Sequence, residues 1–343
     1  MRYILVTKRY YDASVSIMVQ NFIQILNKKF RMVFIPERLL STHSLVNIDL
    51  VIFCRTFETQ SRELLDLCIE SNIPTLYAID DDLLNFYKNE KNADFGPDTQ
   101  RYYNLCYLLS NADLVLSFSK SISKSLKPYT DKIYELQTNI LSKYLHHPLK
   151  NMEENVFRIA YMGGEKKEEF DLIFDALLEI AYKYKNRVEF HFWGFQPEQS
   201  NILNHYSKVY TERFTTNYEE YLLHLYESDF DLFLCPLLCN DFKKGKSPVK
   251  FLEASVCGAC GLFSHVSPYE IVTDRKTGFK VKNTKQEWQK KIENIIHTSK
   301  VDRNQILENA VVFIKGHYTT EILAPKFENA IDMACHNRQT NLK

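Results

Sequence analysis

Short apolar runs alternate with amphipathic stretches along the first 140 residues. Residues 3–7, 50–54 and 75–79 are apolar runs of strand length, whereas residues 61–70 space their apolar side chains along one face of a helix. This alternation is typical of βαβ units, whose strands form a parallel sheet. The remaining predicted elements of this part are strands at 32–35, 114–118 and 133–136 and helices at 15–26 and 101–109.

The same rhythm begins again after a polar, proline-containing stretch between Asn139 and Val156. The second series consists of strands at 157–162, 188–193 and 231–235, and of helices at 170–183, at 218–226 and from Pro248 onwards. Apolar residues again recur at helical spacing at 319–334. The sequence therefore predicts an α/β protein with one Rossmann-like domain at 1–145 and a second at 155–316. A C-terminal helix in 317–343 is expected to close back toward the first domain.

Charge and composition exclude some function classes. Lysine and arginine together number 43, as do aspartate and glutamate, so no global field favours nucleic acid and none is expected as a partner. No apolar run approaches the roughly 20 residues that cross a bilayer. Most of the eight cysteines lie in apolar segments, which is typical of proteins from a reducing compartment. We expect a cytoplasmic protein. The basic and aromatic residues Lys28, Lys29, Arg31, Tyr10 and Tyr11 leave contact with the inner face of a membrane or with an anionic glycan open, with a solvated surface as the alternative.

The loop before Pro248 contains the residues that best suit a phosphate site. Ser247 is predicted to cap a helix that has Pro248 at its first position. The amides of such a helix end attract anions, Gly245 would allow close backbone approach, and Lys246 adds positive charge. The alternative is a solvated, lysine-rich loop with an ordinary cap.

Glu253 lies among apolar residues on the helix that follows this loop. A lone buried carboxylate is costly unless it has partners. Lys250, three residues earlier, is on the same helical face and could pair with it. Alternatively, the carboxylate accepts hydrogen bonds from the ribose diol of a nucleotide whose phosphates lie at the helix start.

The same region resembles a known enzyme family. Residues 246–258 read KSPVKFLEASVCG and are followed by GLFS at 261–264, PYE at 268–270 and TGFKV at 277–281. In order and spacing this is similar to the retaining glycosyltransferases of family 4, which have the GT-B fold. The resemblance implies two Rossmann-like domains with parallel sheets facing a central cleft, and a UDP- or GDP-linked sugar as donor, without a tightly bound cofactor.

The resemblance also implies roles for individual residues. In that family the second glutamate of a Glu-x7-Glu element holds the donor ribose, and this position is Glu253 here. Gly245 occupies the position of the first glutamate, so the residue that contacts the sugar hydroxyls is not given by the motif. Ser247 and Lys250 join Glu253 on the donor side. Lys246 is the catalytic candidate, stabilising charge on the leaving diphosphate.

A second loop of the same domain has related features. Gly163 and Gly164 follow a predicted strand, and Lys166 and Lys167 come directly after them. Glycines let the backbone approach a ligand, and in the resembled family a basic pair near this point neutralises the diphosphate. All four residues are therefore predicted to bind the donor. A plain turn with solvated lysines is the alternative.

Three consecutive carboxylates, Asp80–Asp82, follow the predicted strand at 75–79. They could bind Mg²⁺, resemble the acid pocket of a receiver domain, orient acceptor hydroxyls or cap the next helix. We predict acceptor orientation or capping and no metal, with Asp81 as a second catalytic candidate and Asp82 on the acceptor side. Tyr10 and Tyr11, after the first strand, are further acceptor-side candidates.

The prediction for function is transfer of a sugar, with retention, to a saccharide or lipid-linked saccharide acceptor in surface polysaccharide assembly. Two alternatives stay open. A nucleotide-sugar epimerase of the same fold would turn over its substrate without an acceptor. A noncatalytic protein would bind nucleotide or glycan alone, and the glycine at position 245 would then mark lost activity.

Overall fold

The computed structural model describes residues 1–89, 96–145, 156–164 and 167–340. The chain divides into two units. The first unit contains Met1–Leu141, Asp241–Ser247 and Tyr318–Lys343, and the second contains Ser142–Asn240 and Pro248–His317. The segment Asp241–Ser247 lies within the range predicted for the second domain, 155–316, but it belongs to the first unit.

A six-stranded parallel sheet forms the centre of the first unit. Its central strands consist of apolar residues buried on both faces, as strands covered by helices on both sides require. The strand order is β2-β1-β3-β4-β5-β6. The strands are β1 (Arg2–Lys8), β2 (Phe30–Pro36), β3 (Leu50–Cys54), β4 (Thr75–Ile79), β5 (Leu114–Ser117) and β6 (Ile133–Glu135).

Successive residues of β1 pack on opposite faces of this sheet. Ile4 belongs to the core that contains Phe22 and Phe327, and Leu5 belongs to the core that contains Leu105. The described helices of this unit are α1 (Ala13–Val15), α2 (Asn21–Ile25), α3 (Thr59–Glu70), α4 (Leu83–Asn89), α5 (Gln100–Asn111), α6 (Lys120–Leu126), α10 (Asp241–Lys244) and α14 (Thr320–Thr340), with a π-helix at Ser16–Gln20 and 3-10 turns at Glu37–Leu39 and Thr42–Leu45.

The π-helix was not expected within the helix predicted at 15–26. A buried polar network surrounds it. Asn139 donates through Nδ2 to the Ile17 carbonyl (2.6 Å), and its Oδ1 accepts hydrogen bonds from Asn21 (3.2 Å) and Thr320 (2.8 Å). Side-chain hydrogen bonds to helix carbonyls accompany such wide turns, and the partner here is distant in sequence.

The long helix α14 is anchored to the first sheet by a buried ion pair. Arg338 approaches Asp113, which directly precedes β5, at 2.9 Å between Nη2 and Oδ2. The same carboxylate oxygen accepts hydrogen bonds from the backbone and hydroxyl groups of Thr75, each at 2.9 Å. Phe327 of α14 stacks on Phe22, with ring centroids 4.6 Å apart. Polar and apolar contacts thus hold the helix against the sheet.

The second unit is also built on a six-stranded parallel sheet, in the order β12-β11-β10-β7-β8-β9. The strands are β7 (Phe157–Gly163), β8 (Val188–Gly194), β9 (Lys208–Arg213), β10 (Leu232–Cys235), β11 (Cys260–Ser264) and β12 (Phe279–Val281). The described helices are α7 (Lys167–Tyr184), α8 (Ser200–Leu203), α9 (Tyr218–Glu227), α11 (Val249–Val256), α12 (Lys285–His297) and α13 (Lys300–His317), with 3-10 turns at Ser142–Leu145, Lys185–Arg187 and Ser267–Tyr269.

Two parallel α/β sheets confirm the predicted fold class. Most predicted strands match to within one or two residues, and β4 matches at both ends. Three strands were missed. Strand β9 is an exposed edge strand of mostly polar residues, β11 contains Gly261, and β12 has only three residues. None of them shows the uninterrupted apolar run on which the strand predictions depended.

Candidate functional site

The switch point of the second sheet lies between β7 and β10, because β8 flanks β7 on its other side. Ligands of open parallel sheets bind beyond the carboxyl ends of the strands at such a point. Gly163 ends β7 and lies in register with Gly194 at the end of β8. Gly194 has φ +86°, and a Cβ there would lie 2.2 Å from the Gly163 carbonyl oxygen. Backbone approach at this edge therefore requires glycine.

The loop after β10 is fixed at its start. The Leu237 amide donates to Ser264 Oγ (2.8 Å), and Asn283 Nδ2 donates to the Leu237 carbonyl (2.8 Å). Ser264 also donates to Asn283 Oδ1 (2.6 Å). These bonds join the ends of β10 and β11, so the backbone on this side of the switch point is held in one conformation.

Glu253, on α11, is 3% exposed and has two polar partners from the second unit. Lys250 Nζ lies 2.5 Å from Oε2, and the Tyr221 hydroxyl donates to the same oxygen at 3.0 Å. Both contacts end at Oε2. The pairing of Lys250 with Glu253, one of the two alternatives that the sequence left open, is therefore present, and it compensates the buried charge.

Two tyrosines of α9 surround this carboxylate. Burial, followed by the charge of Glu253, raises the pKa of both Tyr218 and Tyr221. Trp193, which comes just before Gly194, packs edge-to-face on Tyr221 with ring centroids 5.4 Å apart. The aromatic side chains exclude water from one side of Glu253, and an ionised group in such a place interacts strongly with a polar ligand.

The predicted donor residues of the second unit lie at two places. Gly163 and Gly164 are partly buried after β7, and Lys167 is exposed at the start of α7. Lys250 and Glu253 form the buried pair on α11. Lys166 lies outside the described residues.

The prediction that Ser247 caps the following helix is wrong. Helix α11 begins at Val249 with Pro248 in the cap position, and no side chain accepts a capping hydrogen bond there. Ser247 instead ends the segment Asp241–Ser247, which belongs to the first unit. The chain turns into α11 only after it has left that unit, so the serine is one residue too early to cap.

Gly245 serves close packing within the first unit. A Cβ at this position would lie 2.9 Å from the Cβ of Asp82. Its carbonyl accepts a hydrogen bond from Ser119 Oγ (3.0 Å), and Ser119 also caps α6. Because glycine has no side chain, the loop at Gly245 can pack against the residues that follow β4 and β5.

The switch point of the first sheet lies between β1 and β3. Arg55 directly follows β3, has φ +52°, and donates from Nη1 to Asp80 (3.2 Å) and Ser14 (3.0 Å). Burial would lower the pKa of Arg55, but Asp80, Asp81 and Asp12 outweigh it and raise the pKa. A non-glycine residue in the left-handed region often marks a functional site.

The two catalytic candidates predicted from the sequence, Lys246 and Asp81, form an ion pair with each other. Lys246 Nζ lies 2.6 Å from Asp81 Oδ1, and Arg55 Nη2 lies 3.0 Å from Oδ2. Lys246 also lies over the ring of Phe242 at 4.6 Å. The carboxylate therefore neutralises part of the charge of both cations, and all of these groups belong to the first unit.

We expect Asp81→Asn to lower the free energy of unfolding by about 2 kcal/mol at neutral pH. Burial would raise the pKa of Asp81 above its ordinary 3.8, but Arg55 and Lys246 lower it to about 2. Because the folded pKa is the lower one, this stabilisation is present above about pH 4 and is lost as the pH falls towards 2. Urea unfolding by circular dichroism between pH 5 and 2 measures it.

The exposed Asp131 offers the control for this measurement. Its side chain is 96% exposed, so Asp131→Asn should leave the pH profile of wild type unchanged. Parallel profiles for wild type and Asp81→Asn would show that the ion pairs of Asp81 do not stabilise the fold.

The acceptor-side candidates have different surroundings. Asp82 is buried and accepts hydrogen bonds from the amide of Asn85 (3.1 Å) and the hydroxyl of Ser125 (2.7 Å), so it caps α4. Tyr10 is 60% exposed, whereas Tyr11 packs edge-to-face on Phe34. Of these residues, Tyr10 offers the largest accessible surface to a ligand.

Neither a metal centre nor a membrane span is found in the part of the chain that the structure describes. There, no group of three or more histidine, cysteine, aspartate or glutamate side chains is arranged to hold a metal ion. None of the described helices is both long enough and apolar enough to cross a membrane.

Sequence reasoning missed several residues of these sites. Arg55 comes directly after the apolar run of β3. The other candidates were chosen because they follow a predicted strand, and the same criterion would have identified Arg55. Tyr221 had no local signal, because its partner Glu253 lies 32 positions away. Lys8 and Asp12 form an ion pair after β1, and their spacing of four residues gave no indication of it outside a regular helix.

The two Rossmann-like units define a GT-B fold, and structural comparison agrees with this. A protein from Anabaena, Alr3699/HepE in complex with UDP-glucose, is 11% identical, with 97% of this chain and 100% of that chain covered and a TM-score of 0.67. Sucrose-phosphate synthase (tll1590) from Thermosynechococcus elongatus is 13% identical over 97% and 98%, also at 0.67. A glycosyltransferase from Rickettsia africae is 14% identical over 97% and 98%, again at 0.67.

A family model matches part of the sequence, most of it in the second unit. Residues 156–298 match the family model of the glycosyl transferases group 1. None of the curated protein sequences compared matches the chain. At 11–14% identity, the solved structures establish the fold.

Proposed function

We propose that the chain is a glycosyltransferase that moves a sugar from a nucleoside diphosphate sugar to a saccharide or lipid-linked saccharide acceptor. Glu253 is the observation that carries the proposal. It is a buried carboxylate on the helix after β10, within the residues that match the glycosyl transferases group 1. A buried charge held by one lysine and one tyrosine is costly to keep, and a nucleotide site gives it a use.

The donor would be bound by residues of the second unit. Lys250 and Tyr221 both contact Oε2, and Tyr218 lies close to the same carboxylate, so we assign Oε1 to hydrogen bonds with the ribose hydroxyls. The backbone at Gly163 and Gly164 would approach the diphosphate, and Lys167 would neutralise part of its charge. UDP and GDP are both candidates for the nucleotide, and the Anabaena protein with UDP-glucose supports testing UDP first.

Lys246 and Asp81 are the proposed catalytic pair. Stabilisation of developing negative charge is assigned to the ammonium group of Lys246, and Asp81 would hold the lysine in place. Retention of anomeric configuration, by attack on the same face without a covalent intermediate, and a role in surface polysaccharide assembly rest on the motif resemblance. NMR of the anomeric proton in the product measures the stereochemistry.

Calorimetric titration with UDP, GDP and ADP tests the donor site. We expect one nucleotide to bind and Glu253→Gln to weaken its binding by about 10- to 100-fold, since hydrogen bonds to a charged group contribute about 1.5–3 kcal/mol. Glu220→Gln is the matched control, because it removes an exposed carboxylate from the same unit. Failure of every nucleotide to bind folded protein would contradict the proposal.

Turnover assays separate the proposal from its alternatives. A transferase releases nucleoside diphosphate faster when an acceptor is present. Conversion of the nucleotide sugar without release of nucleoside diphosphate would indicate an epimerase. Tight nucleotide binding with neither reaction, across a panel of donors and acceptors, would indicate a protein that only binds its ligands.

A further inference from the structure

The first unit contains a cavity of about 440 Å³ at the carboxyl ends of β1 and β2. This is within the size range of small-molecule sites. Its walls come from the loop after β1, from the chain after β2 and from the first turns of α3 and α5. The lining residues are Arg9, Tyr10, Glu37, Arg38, Glu58, Gln60 and Arg101.

The two carboxylates of this cavity already have partners. Glu37 is buried and accepts hydrogen bonds from the amides of Phe57 (3.1 Å) and Glu58 (2.8 Å) and from Ser61 Oγ (2.6 Å). These contacts hold the start of α3. Glu58 pairs through its side chain with Arg101 at 2.9 Å.

Arg9 and Arg38 are in a different situation. Both are exposed, and neither forms an ion pair or side-chain hydrogen bond among the residues that the structure describes. Both residues line the same cavity, so a ligand bound there lies beside two arginines. Guanidinium groups bind carboxylates and phosphates through paired N–H donors.

The remaining walls suit a sugar ring. Tyr10 exposes 60% of its surface and can cover the apolar face of a ring. Gln60 is exposed at the start of α3 and offers both a donor and an acceptor to hydroxyl groups. A cavity of this volume is much larger than a phosphate or carboxylate group alone, so the anion would be part of a larger molecule.

We propose that this cavity binds an anionic saccharide, whose phosphate or carboxylate group lies between Arg9 and Arg38 and whose ring packs against Tyr10. If the protein is a glycosyltransferase, this ligand is its acceptor. That last step rests on the proposed function, whereas the anion site does not.

Binding of small anionic sugars tests the proposal without any donor. Glucose 6-phosphate, glucuronate, inorganic phosphate and glucose are titrated into the whole protein at low ionic strength, followed by calorimetry and by saturation-transfer NMR. We expect at least one charged sugar to bind at least tenfold more tightly than glucose and more tightly than inorganic phosphate. The two charged sugars distinguish a phosphate from a carboxylate ligand.

Variants locate the binding. Arg9→Gln and Arg38→Gln should each lower the affinity for the charged sugar at least tenfold and leave the affinity for UDP or GDP unchanged. Arg31→Gln is the matched control, because it removes another exposed arginine, on β2, that does not line the cavity. Equal binding of charged and neutral sugars, or unchanged binding in both variants, would overturn the proposal.

The two proposals can fail separately. If no nucleotide binds but the charged sugar still depends on Arg9 and Arg38, the glycosyltransferase proposal fails and the anion site stands. If nucleotides bind through Glu253 but no charged sugar does, the anion site fails alone. Loss of nucleotide affinity in the arginine variants would mean that the cavity binds nucleotide, and would also overturn the proposal.

Discussion

Replacing Asp113 with alanine should lower the free energy of unfolding of the first unit by about 3–5 kcal/mol. Asp113 is 1% exposed and Arg338 is 6% exposed, so neither charge can be solvated in the folded protein. Without the carboxylate, the guanidinium group stays buried beside Thr75 with its main partner removed. The cost of an unpaired buried charge is far larger than the net stabilisation that the intact pair provides.

The location of the two tryptophans makes this measurable for one unit at a time. Trp193 and Trp288 both belong to the second unit, so their fluorescence follows its unfolding while circular dichroism follows both. Asp113→Ala should shift the urea transition seen by circular dichroism more than the one seen by fluorescence. A second variant, Asp113→Ala with Arg338→Met, should regain part of the loss. Equal stability of Asp113→Ala and wild type would contradict this.

Glu253→Ala should destabilise the second unit by about 3 kcal/mol. It removes the carboxylate from Lys250, whose side chain is only 16% exposed, and it leaves the Tyr221 hydroxyl without its acceptor. Tryptophan fluorescence is the suitable probe, because Trp193 packs on Tyr221. The shift in the urea midpoint gives the loss of stability.

A double-mutant cycle separates the ion pair from the rest of this effect. Lys250→Met removes the buried ammonium, so the variant with both changes should be more stable than the sum of the single changes predicts. Strict additivity would mean that the pair is not coupled. Because Glu253→Ala is expected to destabilise the unit, Glu253→Gln, which keeps the size of the side chain, is the better variant for measuring nucleotide binding.

The strands that the sequence predicted best are those buried on both faces. Strands β3 and β4 are uninterrupted apolar runs, because helices cover both sides of the sheet. The loops after β1, β4 and β7 could then be located, and with them Tyr10, Asp81 and Gly163. Local pattern was sufficient there because each residue's position depends on its own strand.

The sequence could not predict contacts between distant segments. Lys246 was expected beside the helix that follows it, but it pairs with Asp81, 165 positions earlier. Ser247 has the residue type of a cap, yet tertiary packing of its segment moved the helix start to Val249. Both differences have one cause, which is that residues 241–247 belong to the first unit.

The first unit is assembled from three separate stretches of chain, and this affects how the protein is made. On the ribosome, β1 to β6 emerge first, but Phe327 and the other α14 residues that cover one face of their sheet emerge last. Until then, the apolar side chains on that face are covered only in part, by Phe22 and its neighbours in the segment before β2. Helix α14 belongs to the first unit, and the described core cluster of the second unit is built from residues before it, so that cluster can form sooner. The sheet of the first unit is thus made before the second unit but is completed after it, and in the interval its partly covered face is exposed to aggregation and to chaperones.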